Sequence, residues 1–198
     1  MLTELKSALR PAIALTLLFS LLLGLAYPLA LTGIGQLLFP AQANGSLVRS
    51  ANGRVIGSEL IGQTFASPAY FHGRPSAAGK GYDALASSGS NLGPAARALA
   101  DRVRAEKAAL LSSSRSSSDL NVPPDLVTTS ASGLDPDISP EAAFFQVARV
   151  AAARHVDPAR VRALVEAQVD RPLLGFLGEP HVNVLALNRS LDRAATRP

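Results

Sequence analysis

Side chains able to do chemistry are densest between Tyr70 and Gly93. The segment reads Tyr70-Phe71-His72-Gly73-Arg74-Pro75-Ser76, then Gly81-Tyr82-Asp83, then Ser88-Gly89-Ser90-Asn91-Leu92-Gly93. Two of the chain's three tyrosines, a histidine and an arginine stand here among glycines and serines. That mixture suits a recognition surface carried on a loop. It equally suits a long loop whose aromatics anchor it to a core, and the residues alone leave the two readings level. The candidate interaction surface is Tyr70, Phe71, His72, Arg74, Tyr82, Asp83, Ser90 and Asn91.

More specific chemistry fails on spacing. Gly73 to Gly81, GRPSAAGKG, approaches a phosphate loop, but five residues separate the first glycine from the Gly-Lys pair where four are needed. Gly81 stands where a Ser or Thr must reach magnesium. Asp135, Asp137 and Glu141 begin like a calcium loop, yet Pro140 replaces the required glycine and Gln146 the bidentate glutamate. Turn formation and helix capping account for these acids. His72, His155 and His181 have no ligand spacing, so no metal site is assigned. A Ser-His-Asp hydrolase remains a second class of reading, since serines are plentiful and His72 and Asp83 are present. No G-x-S-x-G elbow or S-x-x-K pair supports it. No catalytic residue is assigned.

The elements that must position this segment begin with a membrane span. No charged residue occurs between Arg10 and Arg49, and Ala12 to Leu31 is mostly aliphatic. About 20 helical residues rise roughly 30 Å, the thickness of a bilayer's hydrocarbon core. Lys6 and Arg10, opposed only by Glu4, precede the span, so the positive-inside rule puts the N-terminus in the cytoplasm. The expected organisation is a cytoplasmic N-terminus (1–11), a transmembrane helix (12–31), a juxtamembrane connector (32–46) and an extracytoplasmic domain (47–198). A cleaved signal peptide is the rival. Gly24-Leu25-Ala26 and Ala41-Gln42-Ala43 resemble cleavage sites, but the apolar run continues past the first and the second lies well beyond it.

Within the span, Ala12, Thr16, Ser20 and Gly24 continue a four-residue spacing that begins at Ala8. Small residues on one stripe let another helix approach closely, so these four form a candidate packing face toward a membrane-embedded partner.

Composition bounds the rest. The chain has 19 Lys plus Arg against 15 Asp plus Glu; without Lys6, Arg10 and Glu4 the balance beyond the span is 17 against 14, too mild to argue for nucleic acid. With no cysteine, an exported domain must be held by its own core. Short apolar runs between Gly45 and Phe71 read as strands and turns, and Phe71 to Gly93 as a long structured loop. Pro94 is expected to open a helix through Leu99, Val103 and Leu110, ending in a flexible Ser-rich connector, 112–118. Ser139-Pro140-Glu141 and Asp157-Pro158 are start signals for two further helices, the first running to about Arg154. The second ends at Arg171-Pro172, and His181 to Leu187 reads as a strand before a short final helix. The fold class is therefore α+β: one N-terminal transmembrane helix and a single extracytoplasmic α+β domain.

Seven blocks in order carry a family resemblance. They are Tyr27-Pro28-Leu29, LLFPAQANGSL (37–47), ELIGQTF (59–65), YFHGRPSAA (70–78), SGSNLGP (88–94), DLVTTSASGLDPDISPEAA (125–143) and GEPHVNVLALN (178–188). Together they closely resemble the KdpC family, the C subunits of bacterial Kdp potassium-transporting P-type ATPases. The resemblance runs nearly end to end, leaving aside the Ser112 to Ser118 connector and the tail after Asp192.

The resemblance implies an accessory subunit, not itself an enzyme, in the inner membrane. Its partners would be the Kdp A subunit (channel-like), the B subunit (the ATPase proper, carrying hydrolysis) and the small F subunit, with potassium as the transported ion. The family is also described as binding ATP and raising the B subunit's nucleotide affinity as a catalytic chaperone. ATP is cytoplasmic and the charge pattern puts the large domain outside, so no residue is assigned to ATP. Capping the potassium entrance of the channel-like subunit is the simpler role for the segment Tyr70 to Gly93. A membrane-anchored periplasmic hydrolase is the alternative.

Overall fold

The computed structural model describes residues 2–113, 121–172 and 175–195, in two compact units, Met1–Leu47 and Val48–Pro198.

The first unit is helical. Helix α1 (Leu2–Leu21) passes through a π turn at Leu22–Ala26 into α2 (Tyr27–Leu38), followed by the short α3 (Pro40–Ala43). The helix thus runs beyond the expected end at Leu31, because nothing between Leu31 and Leu38 is charged and Gly33 and Gly35 cost helix stability without breaking it. Among the described residues this gives one candidate membrane span, Lys6–Leu38, with none of its apolar window buried. The π turn has a local cause. Pro28 has no N–H and its ring crowds the carbonyl four residues back, so the preceding turn widens and the Tyr27 N–H reaches Leu22 O, a five-residue step.

The second unit opens with a small hairpin, β1 (Leu47–Arg49) and β2 (Val55–Ser58), whose two strands pair with each other. Residues 59–96 then run without a regular element except a 3₁₀ turn at Ala84–Ala86, where Asp83 accepts a hydrogen bond from the Leu85 N–H. Helix α4 (Arg97–Ser113) starts three residues later than Pro94 predicts. Pro94 instead sits in a turn closed by the Ala96 N–H on Gly93 O. Ser112 and Ser113 end that helix, and the rest of the expected Ser-rich connector lies outside the described residues.

After a 3₁₀ turn at Pro124–Leu126 come β3 (Asp137–Ile138), α5 (Pro140–Arg154), α6 (Pro158–Gln168), β4 (Val169–Asp170), β5 (His181–Asn183) and α7 (Val184–Ala195). Both helix-start signals operate as expected: Ser139 accepts from the Ala142 N–H and Asp157 from the Ala159 N–H. The three short strands form an antiparallel sheet in the order β3-β5-β4, with Ile138 and Val169 both opposite Val182.

One expectation is corrected here. The run HVNVLAL is a strand only to Asn183, because the Asn183 side chain accepts from the Ala186 N–H and caps a helix. Val184, Leu187 and Leu191 then follow a helical spacing and enter the core. That core joins the inner faces of α5, α6 and α7 to the sheet through Ile138, Val150, Val161, Val165, Val182 and Leu187, with Phe71 inserted from the long loop. The architecture is a membrane-span candidate followed by an α+β unit, as the sequence indicates.

Candidate interaction surface

The segment from Ser67 to Gly93 is fastened from two sides. Phe71 is 0 % exposed, and its main chain is held by Asn188 of α7: the Phe71 N–H donates to Asn188 Oδ1 at 2.8 Å, and Asn188 Nδ2–H donates to Phe71 O at 3.0 Å. Gln146 of α5 repeats the device one residue on. The His72 N–H donates to Gln146 Oε1 at 2.8 Å, and Gln146 Nε2–H returns to His72 O at 3.1 Å. Two buried side-chain amides thus act as the strand partner that residues 71 and 72 lack. A buried amide left unmatched costs about 1–3 kcal/mol, which is why the match is reciprocal at both positions.

Arginines complete the attachment. Arg149 donates to the carbonyls of Pro68 and Tyr70 and to Gln146 Oε1. Arg154 donates to Ala69 O, pairs with Asp192 at 2.8 Å, and places its guanidinium 4.7 Å from the Tyr70 ring centre. The Tyr70 hydroxyl donates to the same Asp192. Tyr70 and Phe71 are therefore anchors of the segment, Phe71 with no surface left to offer. The His72 ring must donate its Nε2–H to Ser67 O, since a carbonyl only accepts. Burial, then the nearby Arg149 charge, lowers the His72 pKa, with the Ser67 bond opposing. Burial lowers that of Arg149 as well.

Further along, the segment is sewn to residues 129–135. Arg74 pairs with Asp135 at 3.1 Å and donates to Thr129 O. The Ser76 hydroxyl donates to Gly133 O and accepts from the main-chain N–H groups of Ala78 and Tyr82. Tyr82 adopts φ +56° and donates its hydroxyl to Arg74 O at 2.6 Å. A Cβ at Gly62 would come within 2.5 Å of its ring, and a Cβ at Gly73 within 2.5 Å of its hydroxyl oxygen. Burial, then the Asp135 charge, pushes the Tyr82 phenol up to about 12, against the opposing effect of Arg74. The hydroxyl therefore stays a donor at every physiological pH. Asp83 caps the 3₁₀ turn, and Ser90 receives a long contact from Arg102 at 3.5 Å. Asn91 is exposed at φ +52°, a left-handed conformation that asparagine tolerates.

What the segment from Tyr70 to Gly93 offers outward lies at 79–80, 83–88 and 91–93, all of them exposed. Asp83, Asn91 and Leu85 are exposed, and Leu85, on the 3₁₀ turn, is 99 % exposed. The near-miss phosphate loop runs into this short turn and not into a helix, so it lacks the helix N-terminus on which phosphate loops rely.

Beside Arg74 opens a cleft of about 710 Å³ lined by Asp125, Asp135, Asp137, Glu141, Glu179 and His181, among others. Several of its acids have structural duties. Asp125 accepts from the Ser139 N–H, and Asp137 accepts from Asn183 Nδ2–H. Burial raises the Asp137 pKa, while that Asn183 bond and the His181 ring lower it. Among the described residues no group of three or more His, Cys, Asp or Glu could hold a metal ion.

In the first unit, Ala12, Thr16, Ser20 and Gly24 are all exposed along the helix, Gly24 inside the π turn. On a 3.6-residue helix a four-residue row is inclined to the axis, so these residues form an oblique ridge of the kind neighbouring helices pack across.

Sequence reading missed Gln146, Arg149, Arg154, Asn188 and Asp192, the residues that fix the segment. Their signal was present. Gln146 and Asn188 occupy core-facing positions of otherwise apolar helix faces, and a polar residue there demands a partner.

Residues 9–193 match the pattern of the KdpC family, K+-transporting ATPase, c chain. The chain belongs to that family. It is 61 % identical over 186 residues to the potassium-transporting ATPase KdpC subunit of Caulobacter vibrioides strain NA1000, covering 94 % of this chain and 93 % of the relative. The KdpC subunits of Bradyrhizobium diazoefficiens (55 % over 200 residues; 95 % and 98 % covered) and Acidobacterium capsulatum (54 % over 185; 93 % and 97 %) are similar as well. Membership of the KdpC family places the chain in potassium transport, as a subunit of a P-type ATPase complex, with membrane association implied.

Proposed function

We propose that this chain is the non-catalytic accessory subunit of a potassium-importing ATPase, single-pass in the inner membrane, with its N-terminus cytoplasmic and its α+β unit outside. Hydrolysis belongs to the B subunit, conduction to the channel-like A subunit, and the small F subunit completes the assembly. The observation that carries this is the family match over residues 9–193 together with a single candidate span among the described residues, Lys6–Leu38, since one helix cannot enclose a pore. Lys6 and Arg10 on the short N-terminal side support the orientation.

Within the assembly, the ridge of Ala12, Thr16, Ser20 and Gly24 packs on a neighbouring membrane helix, and the segment Tyr70 to Gly93 caps the potassium entrance. Rigidity supports the cap: a segment pinned by two amides, two arginines and a half-buried tyrosine is preorganised, so little is lost in ordering it on a partner. Its contact groups are the exposed Leu85 and Asn91, whereas Tyr70, Phe71 and Arg74 serve mainly to hold the shape. A role in raising the B subunit's ATP affinity would then be exerted through the assembly and not through nucleotide bound to the outer unit.

The test is potassium uptake by the complete transporter carrying Leu85→Ser and Asn91→Gly together, the glycine keeping the left-handed backbone. Weakened apparent potassium affinity, with the subunit still in the membrane, supports the cap; unchanged uptake and assembly refutes it. The hydrolase alternative requires the isolated chain to show activity, and His72 is already committed to the Ser67 carbonyl.

A further inference from the structure

Asparagine precedes glycine at two places, Asn44-Gly45 and Asn52-Gly53. Such pairs are prone to an internal reaction, because a following residue without a Cβ leaves its main-chain nitrogen open to the asparagine side-chain amide. All four residues are exposed, so exposure does not separate the pairs. Their hydrogen bonds do.

Asn44, at the end of α3, is held through its nitrogen: Nδ2–H donates to Pro40 O at 2.6 Å, which keeps the leaving group engaged. Asn52 is held through its oxygen. At the tip of the β1–β2 hairpin its Oδ1 accepts from the Arg54 N–H at 3.3 Å and from the Ser50 hydroxyl. A main-chain N–H only donates, which fixes Oδ1 as the atom facing Arg54. The Arg54 carbonyl, 3.1 Å from the Ser50 hydroxyl, already accepts the Ser50 N–H, leaving the hydroxyl proton for Oδ1. Charge builds on Oδ1 when a nucleophile adds to Cγ, so the two donors form a small oxyanion hole.

We propose that Asn52 is a site of spontaneous succinimide and isoaspartate formation, promoted by the Ser50 hydroxyl and the Arg54 N–H. The Gly53 main-chain nitrogen gives up its proton and bonds to Asn52 Cγ, the Cγ–Nδ2 bond breaks, and ammonia leaves carrying that proton. Water then adds to either carbonyl of the five-membered ring and opens it, giving aspartate or isoaspartate at position 52. The Gly53 N–H, which donates to Ser50 O at 2.9 Å, must first let go, as an exposed turn bond readily does. The isoaspartate product adds a main-chain carbon and a negative charge to the turn that sets β1 against β2, so it disturbs their register.

The full chain, kept in detergent at mildly alkaline pH, tests this by peptide mass spectrometry, with isoaspartate read by enzymatic carboxyl methylation. Conversion at Asn52 should run about fivefold or more ahead of Asn44. Ser50→Ala should slow it about fivefold, the effect of one neutral hydrogen bond on the transition state, while Ser50→Thr, which keeps the hydroxyl, should hold the rate. Conversion at Asn44 equal to or ahead of Asn52 overturns the proposal. So does a rate that Ser50→Ala leaves unchanged or raises, the latter meaning that the turn shields the amide instead of activating it.

Discussion

The side-chain amide of Asn188 and the main chain of Phe71 close a reciprocal pair of hydrogen bonds, 2.8 and 3.0 Å, between α7 and a loop residue 117 positions earlier. With Asn188 1 % exposed and Phe71 fully buried, neither bond can be replaced by water. Asn188→Ala leaves the Phe71 N–H and C=O both unmatched, a loss of about 2–4 kcal/mol. Asn188→Asp keeps one acceptor but turns a second oxygen on the Phe71 carbonyl, so it rescues little. Chemical unfolding of the full chain in detergent, followed by circular dichroism, measures both; a loss under about 0.5 kcal/mol would show that the clamp does not matter.

Tyr82 and Gly73 make a second, conditional prediction. A Cβ at position 73 would lie 2.5 Å from the Tyr82 hydroxyl but 3.5 Å from the next ring atom. Gly73→Ala should therefore cost about 2 kcal/mol alone and far less in a Tyr82→Phe background, where the clashing oxygen is gone. Tyr82→Phe alone costs about 1 kcal/mol through the lost bond to Arg74 O. Additive costs in the double variant would contradict the contact.

His72 makes the fold acid-sensitive. Its pKa is lowered in the folded chain, first by burial and then by Arg149. The folded state therefore binds fewer protons than the unfolded chain, whose histidine titrates near 6.5. The His72 contribution is fully present above about pH 6.5 and is lost as pH falls from there through the folded value. Asp137, with its pKa raised by burial, acts in the opposite sense at lower pH, stability rising as pH falls through its folded value toward 3.8. Melting temperature against pH, for the unaltered chain and His72→Gln, should show a fall below pH 6.5 that the variant lacks. Parallel curves would remove His72 from the explanation.

The exposed ion pairs of α4 should contribute little. Arg97 and Arg104 both face Asp101, and all three side chains are at least half exposed. Asp101→Asn is expected to change stability by less than about 0.5 kcal/mol, read from the same unfolding curves.

Local signals in the sequence were read where they are short-range. Ser139 and Asp157 cap their helices because capping needs only a side-chain oxygen next to the first turn. The uncharged run after Arg10 becomes one long helix for a similarly local reason, composition against solvent. Non-local arrangement was hidden. HVNVLAL alternates like a strand, but Asn183 caps a helix that the core can use, so tertiary packing overrides the alternation. The segment 70–93 was level between surface and anchor because the residues that decide it, Gln146, Arg149, Arg154 and Asn188, lie 74 to 117 positions away along the chain in the contacts they make. The result divides the segment: Tyr70, Phe71 and Arg74 hold it, and Asp83, Leu85 and Asn91 face outward.

This chain is expected to work only as part of a potassium-transporting assembly, joined to it through the ridge in its span. Affinity purification of the tagged full chain in mild detergent, from cells making the complete transporter, decides this. The other ATPase subunits should be recovered in constant proportion, and Ser20→Leu with Gly24→Leu should release them while the chain stays in the membrane. Recovery of the unaltered chain alone would contradict the account.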